Sequence, residues 1–329
     1  METTMFFFRR HLLSALAALV GLSAAIVGHA QSFPSKSVRL VIPSSAGTPV
    51  DILSRVVAAR MAADLGQPVV VDNKVGAGGI VGMQDVMRQP ADGHTLMTIY
   101  RGMVLTPFIF RNVSVDLRRD FSPVGQTLFT YNVLVVNPKV AANTVSELAS
   151  MIKAKPGQVN FASGGIASPA HLAGELFSQK LGSKMLHVPY LAFPQAIGDV
   201  MGGQVEMMFA ATAPVIGHIE SGKLKALAVT SSRRLPSLKD VPTMAEMGFP
   251  EVTMRDWLGL VVKAGTPADI VQKLNNALRN ALNSEEVRQT FARLGAEANG
   301  GTPSDFAALI AQDSDSLQQL ARSASISAD

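Results

Sequence analysis

Cysteine is absent from all 329 residues. Its absence excludes disulfides, a thiol nucleophile, a thiolate metal site and a lipidated cysteine. Charge is also scarce, with Asp, Glu, Lys and Arg at 16% against 47% hydrophobic residues, so the chain is no disordered, solvating polymer. The formal net charge of +4 is spread thinly. The densest basic groupings are Arg9-Arg10 and the stretch from Arg111 to Arg119, which read as a solvated surface, and no nucleic-acid partner is expected. Beyond the N-terminus, no apolar run is long enough to cross a bilayer.

What is present begins with that N-terminus. Arg9 and Arg10 precede an apolar run from Leu12 to Val27, and Gly28-His29-Ala30 follows. A short basic region, an apolar core and small residues at −3 and −1 make a secretory signal, with cleavage expected after Ala30. The run is shorter than the roughly 20 residues of a membrane span. An exported, cysteine-free protein fits a bacterial periplasm.

The length suggests two domains. Apolar strands alternate with amphipathic helices: "SVRLVIP", then "VDILSRVVAARMAADLG", then "PVVVDN", a glycine cluster, "IVGMQDVMRQ", "HTLMTIY" and "NVLVVNP". The same alternation restarts at "TVSELASMIKAKPG" and runs through "VEMMFA", followed by strands at "LKALAVT" and "WLGLVVKAG" and a helical tail. Two such blocks predict two α/β lobes with helices on both sheet faces and a cleft between them.

The cluster "KVGAGGIVG" invites a nucleotide reading, since it joins a strand to a helix. A dinucleotide fingerprint needs a third glycine where Val81 stands, and no Gly-Lys-Ser/Thr follows, so neither phosphate-binding motif is met. The glycines read as a tight turn near the rim of the first lobe. Two other turns carry more chemistry. In "SSAGTPVD", Thr48 can cap a helix with Pro49 at its first position and Asp51 three residues on; in "SGGIASPAH", Ser168 and Pro169 repeat the arrangement. A Ser/Gly-rich loop opening a helix offers backbone N–H groups and a positive helix end to a carboxylate, although ordinary capping would use the same residues.

Enzyme signals are weak. No G-x-S-x-G occurs, and Ser150-Met-Ile-Lys153 lacks the companion motifs of serine acyl-transfer enzymes. His94, His171, His187 and His218 show no metal-ligand spacing, so no metal and no cofactor are expected. A secreted hydrolase on a two-lobed scaffold remains the rival reading; His171 or His187 within reach of Ser163 or Ser168 would favour it. An effector-sensing half of a transcription regulator is a second rival, opposed by the signal sequence.

The order of "FPSKSVRLVIP", "LGQPVVVDNKVGAGGIVG", "ADGHTLM", "NFASGGIASPAHLAGELF", "HVPY", "GGQVEMMF", "GKLKALAVTSSRRLPSLKDVPTMAEMGFP" and "WLGLVVKAGTP" resembles the Bug-type solute receptors, the extracytoplasmic subunits of tripartite tricarboxylate transporters. The resemblance covers nearly all of the chain after the signal. It implies an α/β, two-lobed periplasmic binding protein, a type II-like clamshell. Lobe 1 would comprise residues 31–131 and 253–329, and lobe 2 residues 132–252. It implies a monomeric, non-enzymatic receptor that captures a small carboxylate, aromatic or dicarboxylic, and passes it by hinge closure to membrane permease subunits or a sensor.

Carried onto this sequence, the ligand-binding residues would be Ser44, Ser45, Gly47, Thr48 and Asp51 in the first loop. Ser163, Gly164, Gly165 and Ser168 form the second. The first loop departs from the family pattern by losing one glycine and a Ser-Thr pair, and Ala167 replaces a usual glycine. Leu191-Ala192-Phe193 stand where Lys-Gly is common, which suggests a more apolar ligand body flanked by Phe193, Tyr190 or Tyr100. Arg101 is a candidate partner for a ligand carboxylate, or an ordinary surface arginine.

Overall fold

The structure, a computed structural model, describes residues 33–110, 113–166 and 168–323. The expected signal segment lies outside the described residues. Strand β1 (Val38–Ile42) leads through a serine-rich loop into helix α1 (Pro49–Leu65) and strand β2 (Val69–Asn73). Thr48 caps α1 with its side chain, Pro49 supplies a first-turn residue that needs no N–H partner, and Gly66 ends the helix at φ 66°. Helix α2 (Ile80–Met87), strand β3 (Thr95–Tyr100), short helices α3 (Thr106–Ile109) and α4 (Leu117–Asp120) and strand β4 (Phe121–Thr130) follow.

The chain then builds a second sheet from β5 (Asn132–Val136), β6 (Asn160–Ser163), β7 (Leu186–Pro189), β8 (Met207–Ala211) and β9 (Lys225–Val229). Helices α5 (Val145–Ala154), α6 (Pro169–Leu181), α7 (Phe193–Gly202) and α8 (Thr212–Glu220) alternate with them. It returns as β10 (Asp256–Lys263), α9 (Ala268–Asn283), α10 (Glu285–Arg293), β11 (Ala296–Ala298) and α11 (Pro303–Ser323). The first sheet has the order β11-β4-β10-β3-β1-β2 and the second β7-β6-β8-β5-β9. Among the described residues two connections therefore join the sheets, one at Tyr131 and one in the segment that follows β9 and reaches Asp256.

Parallel pairs β1–β2, β1–β3, β6–β7 and β6–β8 are those bridged by helices, while β5 and β10 run antiparallel to their neighbours. Each sheet is sandwiched by apolar side chains. Trp257, Phe306, Leu96, Met97 and Leu105 fill the first core, and Phe161, Phe177, Phe209 and Leu148 fill the second. At 25 cal per mol per Å² of apolar area, each such buried aromatic contributes on the order of 2–3 kcal/mol.

Strand β4 is absent from the alternation read in the sequence. It carries Pro123, Gly125 and Gln126, a composition that argues against a central strand. The structure accommodates it because β11 pairs only with Leu128–Thr130, which leaves the Pro123 side of β4 at an edge, and two register shifts against β10 absorb the rest. Gly125 admits Asn275, whose Nδ2 donates to Val124 O at 2.8 Å. Helix α8, "TAPVIGHIE", is likewise missed by periodicity.

Candidate functional site

A cavity of about 410 Å³ opens between the two sheets, within the range of small-molecule sites. Four strand-to-helix loops, and the strand ends flanking the two connections between the sheets, line it. The first loop contributes Ser44, Ser45 and Thr48. Thr48 Oγ1 donates to Ser45 O at 2.8 Å and accepts from Ser44 Oγ at 2.9 Å, so the hydroxyls are tied into one turn. Gly47 and Asp51 do not line the cavity. The Gly47 N–H donates to Asp51 Oδ2 at 3.0 Å, while Arg55 Nε and Asn73 Nδ2 both donate to Asp51 Oδ1 at 2.9 Å. Those donors, led by Arg55, outweigh burial and hold the Asp51 carboxyl below its usual range. Asp51 therefore braces the loop from beneath, and one N–H expected for ligand is already used.

The second loop contributes Gly164, Gly165 and Ser168. Ser168 accepts the His171 N–H at 3.3 Å as the cap of α6, and Pro169 follows as expected. Gly165 needs its lack of a side chain, since its φ is 109°. At Gly164, a Cβ would come within 2.8 Å of the Phe193 ring. Phe193, 8% exposed, opens α7 and forms the cavity wall with Tyr190. Tyr190 Oη donates to Asp199 Oδ2 at 2.7 Å, and burial and Asp199 push its pKa to about 12.

Ser163 does not line the cavity. It is fully buried, and its Oγ meets His187 Nε2 at 2.6 Å and also contacts both Gly165 O and Gly165 N. His187 stacks on His171 at 3.9 Å, and Phe161 lies 4.9 Å from His187 and 6.3 Å from His171. Burial, helped by His171, lowers the His187 pKa to about 3.

Arg101 also lies outside the cavity lining. Its Nε pairs with Asp313 Oδ1 at 3.2 Å, and only 16% of its side chain is exposed, so it holds α11 to the end of β3. The Trp257 indole N–H donates to the same Asp313. Tyr100, at the end of β3, does line the cavity, and burial pushes its pKa to about 12.

The structure adds residues that motif reading passed over. Gly76, Ala77, Gly78 and Gly79 make the expected tight turn, at φ values of 141°, 43°, 60° and 99°, and also form cavity wall. Added Cβ atoms at Gly76, Gly78 and Gly79 would strike Val81, Phe110 and Met103 within 2.8 Å, so the glycines let the backbone itself approach the ligand space. Val75, Phe110, Ile166, Leu191 and Trp257 make the remaining wall largely apolar. At the junction of the sheets, Thr130, Asn132 and Asp256 line the cavity too. Asp256 is 2% exposed, and burial raises its pKa to about 6 against the lowering effects of Arg101 and Asn132. No sequence signal marks it, because "EVTMRDW" reads only as a connection.

Among the described residues, no group of His, Cys, Asp and Glu is placed to hold a metal ion, and no helix is long and apolar enough to cross a membrane. Two α/β sheets joined by chain crossings, with paired helix-opening loops facing one cavity, define a two-lobed solute-binding protein. Residues 53–325 match the family described as Tripartite tricarboxylate transporter family receptor, and the chain belongs to that family, the Bug-type receptors. It is 35% identical to Protein BugT of Bordetella pertussis over 312 residues, 92% of this chain and 94% of that protein. The structure of the periplasmic binding protein BugD superposes with a TM-score of 0.84 at 32% identity, covering 90% of this chain and 99% of BugD. MatC from Rhodopseudomonas palustris with bound malate matches with a TM-score of 0.82 at 30% identity over 88% of this chain and 99% of MatC. R. palustris Rpa4515 with adipate matches with a TM-score of 0.86 at 30% identity over 90% and 99%. The family is one of periplasmic solute-binding receptors and not an enzyme class.

Proposed function

We propose that this chain is exported to the periplasm, with cleavage after Ala30, and there captures a small organic acid for delivery to membrane permease subunits or a sensor. The lobes are residues 31–131 with 253–329, and residues 132–252, moving about the crossings at Tyr131 and near Asp256. A ligand carboxylate sits between the Ser44–Thr48 loop and the Gly164–Ser168 loop. There, backbone N–H groups, hydroxyls and two helix N-termini supply donors without a full positive charge. Ser44, Ser45, Thr48, Gly164, Gly165 and Ser168 make this grip, while Tyr190, Phe193 and Tyr100 flank the ligand body. Gly47, Asp51 and Ser163 act from behind by fixing the two loops, and Arg101 secures α11.

The observation that carries this reading is the convergence of both loops on one cavity. The malate and adipate held by relatives favour a dicarboxylate. The apolar wall of Val75, Phe110, Ile166 and Phe193 favours one with a hydrocarbon or aromatic body. Hinge closure buries the ligand and presents a new surface to the transporter. Titration calorimetry and thermal-shift screening test the grip. Organic acids are expected to bind and stabilise, and their matched primary amides are not. Equal binding of acids and amides refutes the two-loop grip.

The contact between Ser163 and His187 is the observation that favours a hydrolase. Three features weigh against it. Ser163 is 0% exposed, no carboxylate among the described residues orients His187, and a ring with a pKa of about 3 is a weak base near neutrality. The pair is better suited to holding β6 and β7 beneath the second loop.

A further inference from the structure

The polar end of the cavity carries an incomplete hydrogen-bond set. Asp256 and Thr130 stand directly opposite each other where β10 pairs antiparallel with β4, so their side chains share a face. Both residues line the cavity and are almost wholly buried, at 2% and 7% exposure. Asp256 Oδ2 accepts from Asn132 Nδ2 at 3.1 Å. Asp256 Oδ1 and Thr130 Oγ1, by contrast, are buried without a protein partner. A buried carboxylate oxygen without a donor is costly, and natural structures rarely leave one in place without a use.

The surrounding charges do not supply that donor. Arg101 is the nearby cation, and its Nε is committed to Asp313, which also takes the indole N–H of Trp257. Two carboxylates thus share one guanidinium, and the cavity end carries surplus negative charge. Burial raises the Asp256 pKa to about 6. Its unpartnered Oδ1, beside the unpartnered Thr130 Oγ1, is open to a donor from outside the protein.

We infer that Asp256, with Thr130, is a specificity-determining pair that selects organic acids bearing a hydrogen-bond donor away from the gripped carboxylate. The donor is a hydroxyl or an ammonium group that completes Asp256 Oδ1 and Thr130 Oγ1. This rests on the receptor reading above and adds a second recognition point to it. A hydroxyl fits both orphaned atoms, donating to the carboxylate and accepting from the threonine. An ammonium group fits both as a donor. A second bare carboxylate is repelled unless Asp256 takes up a proton.

Titration calorimetry on the exported protein decides this with two matched triads, succinate with malate and aspartate, and hydrocinnamate with its para-hydroxy and para-aminomethyl derivatives, whose donors lie at the end opposite the carboxylate. At least one donor-bearing acid is expected to bind about tenfold or more tighter than its unsubstituted parent, the scale of one hydrogen bond to a charged group. The hydroxy and amino members separate the two donors. In Asp256→Asn, that preference is expected to shrink by about tenfold while the parent acid changes little. Thr130→Val is expected to lower the same preference without altering the charge, and it serves if Asp256→Asn folds poorly by thermal denaturation.

Equal binding of parent and substituted acids refutes the inference and leaves the receptor reading intact. So does a preference that survives both substitutions, which would mean that water completes the pair. Tightest binding by succinate with proton uptake, read as a buffer-dependent heat, also overturns it, because Asp256 would then act as a neutral acid. If no acid binds at all, the receptor reading fails and this inference fails with it.

Discussion

Mild acidification should weaken the fold through one histidine. His187 lies beneath the second binding loop, in a cluster of three mutually stacked rings with His171 and Phe161, with its Nε2 on Ser163 Oγ. Desolvation, then the neighbouring His171, lower its pKa from 6.5 to about 3. In the unfolded chain the ring takes a proton near 6.5, whereas in the fold it resists until about 3. Stability is therefore intact above 6.5 and falls as the pH drops from 6.5 towards 3, because the unfolded state binds the extra proton. Each pH unit in that window costs about 1.4 kcal/mol, so near pH 5 the full loss is about 2 kcal/mol. Since His187 is partly exposed and coupled to His171, about 1–2 kcal/mol is the expected range.

The groups facing the ring are His171 with Glu175 at 3.6 Å on α6, Ser163 and Phe161 on β6. Denaturant unfolding of wild type and His187→Gln, at neutral pH and at about pH 5, isolates the effect. Carboxylates such as Asp51 titrate in both proteins and cancel in the difference. Wild type should lose about 1–2 kcal/mol more than the variant on acidification. An equal loss in the two proteins refutes the account of a desolvated histidine pair.

Two further perturbations address the loops. Gly174→Ala on α6 would drive a methyl group into the Phe161 ring, so it should destabilise by about 2–3 kcal/mol, measured as a lowered denaturation midpoint with an unchanged slope. Asp51→Ala removes the acceptor for Gly47 N–H, Arg55 and Asn73. A loss of about 2 kcal/mol of stability is expected, with affinity for a bound organic acid falling about tenfold although Asp51 does not line the cavity. Unchanged affinity would show that the first loop holds its shape without that brace.

Much of this protein follows from local sequence rules. Short apolar runs marked β1 and β3, and helix caps at Thr48 and Ser168 with Pro49 and Pro169 placed α1 and α6 correctly. The two serine/glycine loops were legible for the same reason, since capping chemistry is set by residues within four positions of one another. Strand β4 was illegible because Pro123 is tolerable only once a short β11 leaves that part of the strand at an edge.

Long-range geometry decided the roles of the individual residues. Asp51 and Arg101 carry ligand-like chemistry in sequence, yet Arg55, Asn73 and Asp313 engage them in the fold. The glycines at 76–79 fail every nucleotide motif, and only the packing of Val81, Phe110 and Met103 around them reveals a cavity wall. Asp256 belongs to no motif. Its burial, its rung opposite Thr130 and its unmet oxygen exist only after β10 crosses back to pair with β4. The sequence by itself determined most of the strands, the capped helix starts of α1 and α6 and the family, because these depend on neighbours in the chain. The tertiary structure alone decided which polar groups are already satisfied, because a distant residue supplies each partner, and so which remain for a ligand.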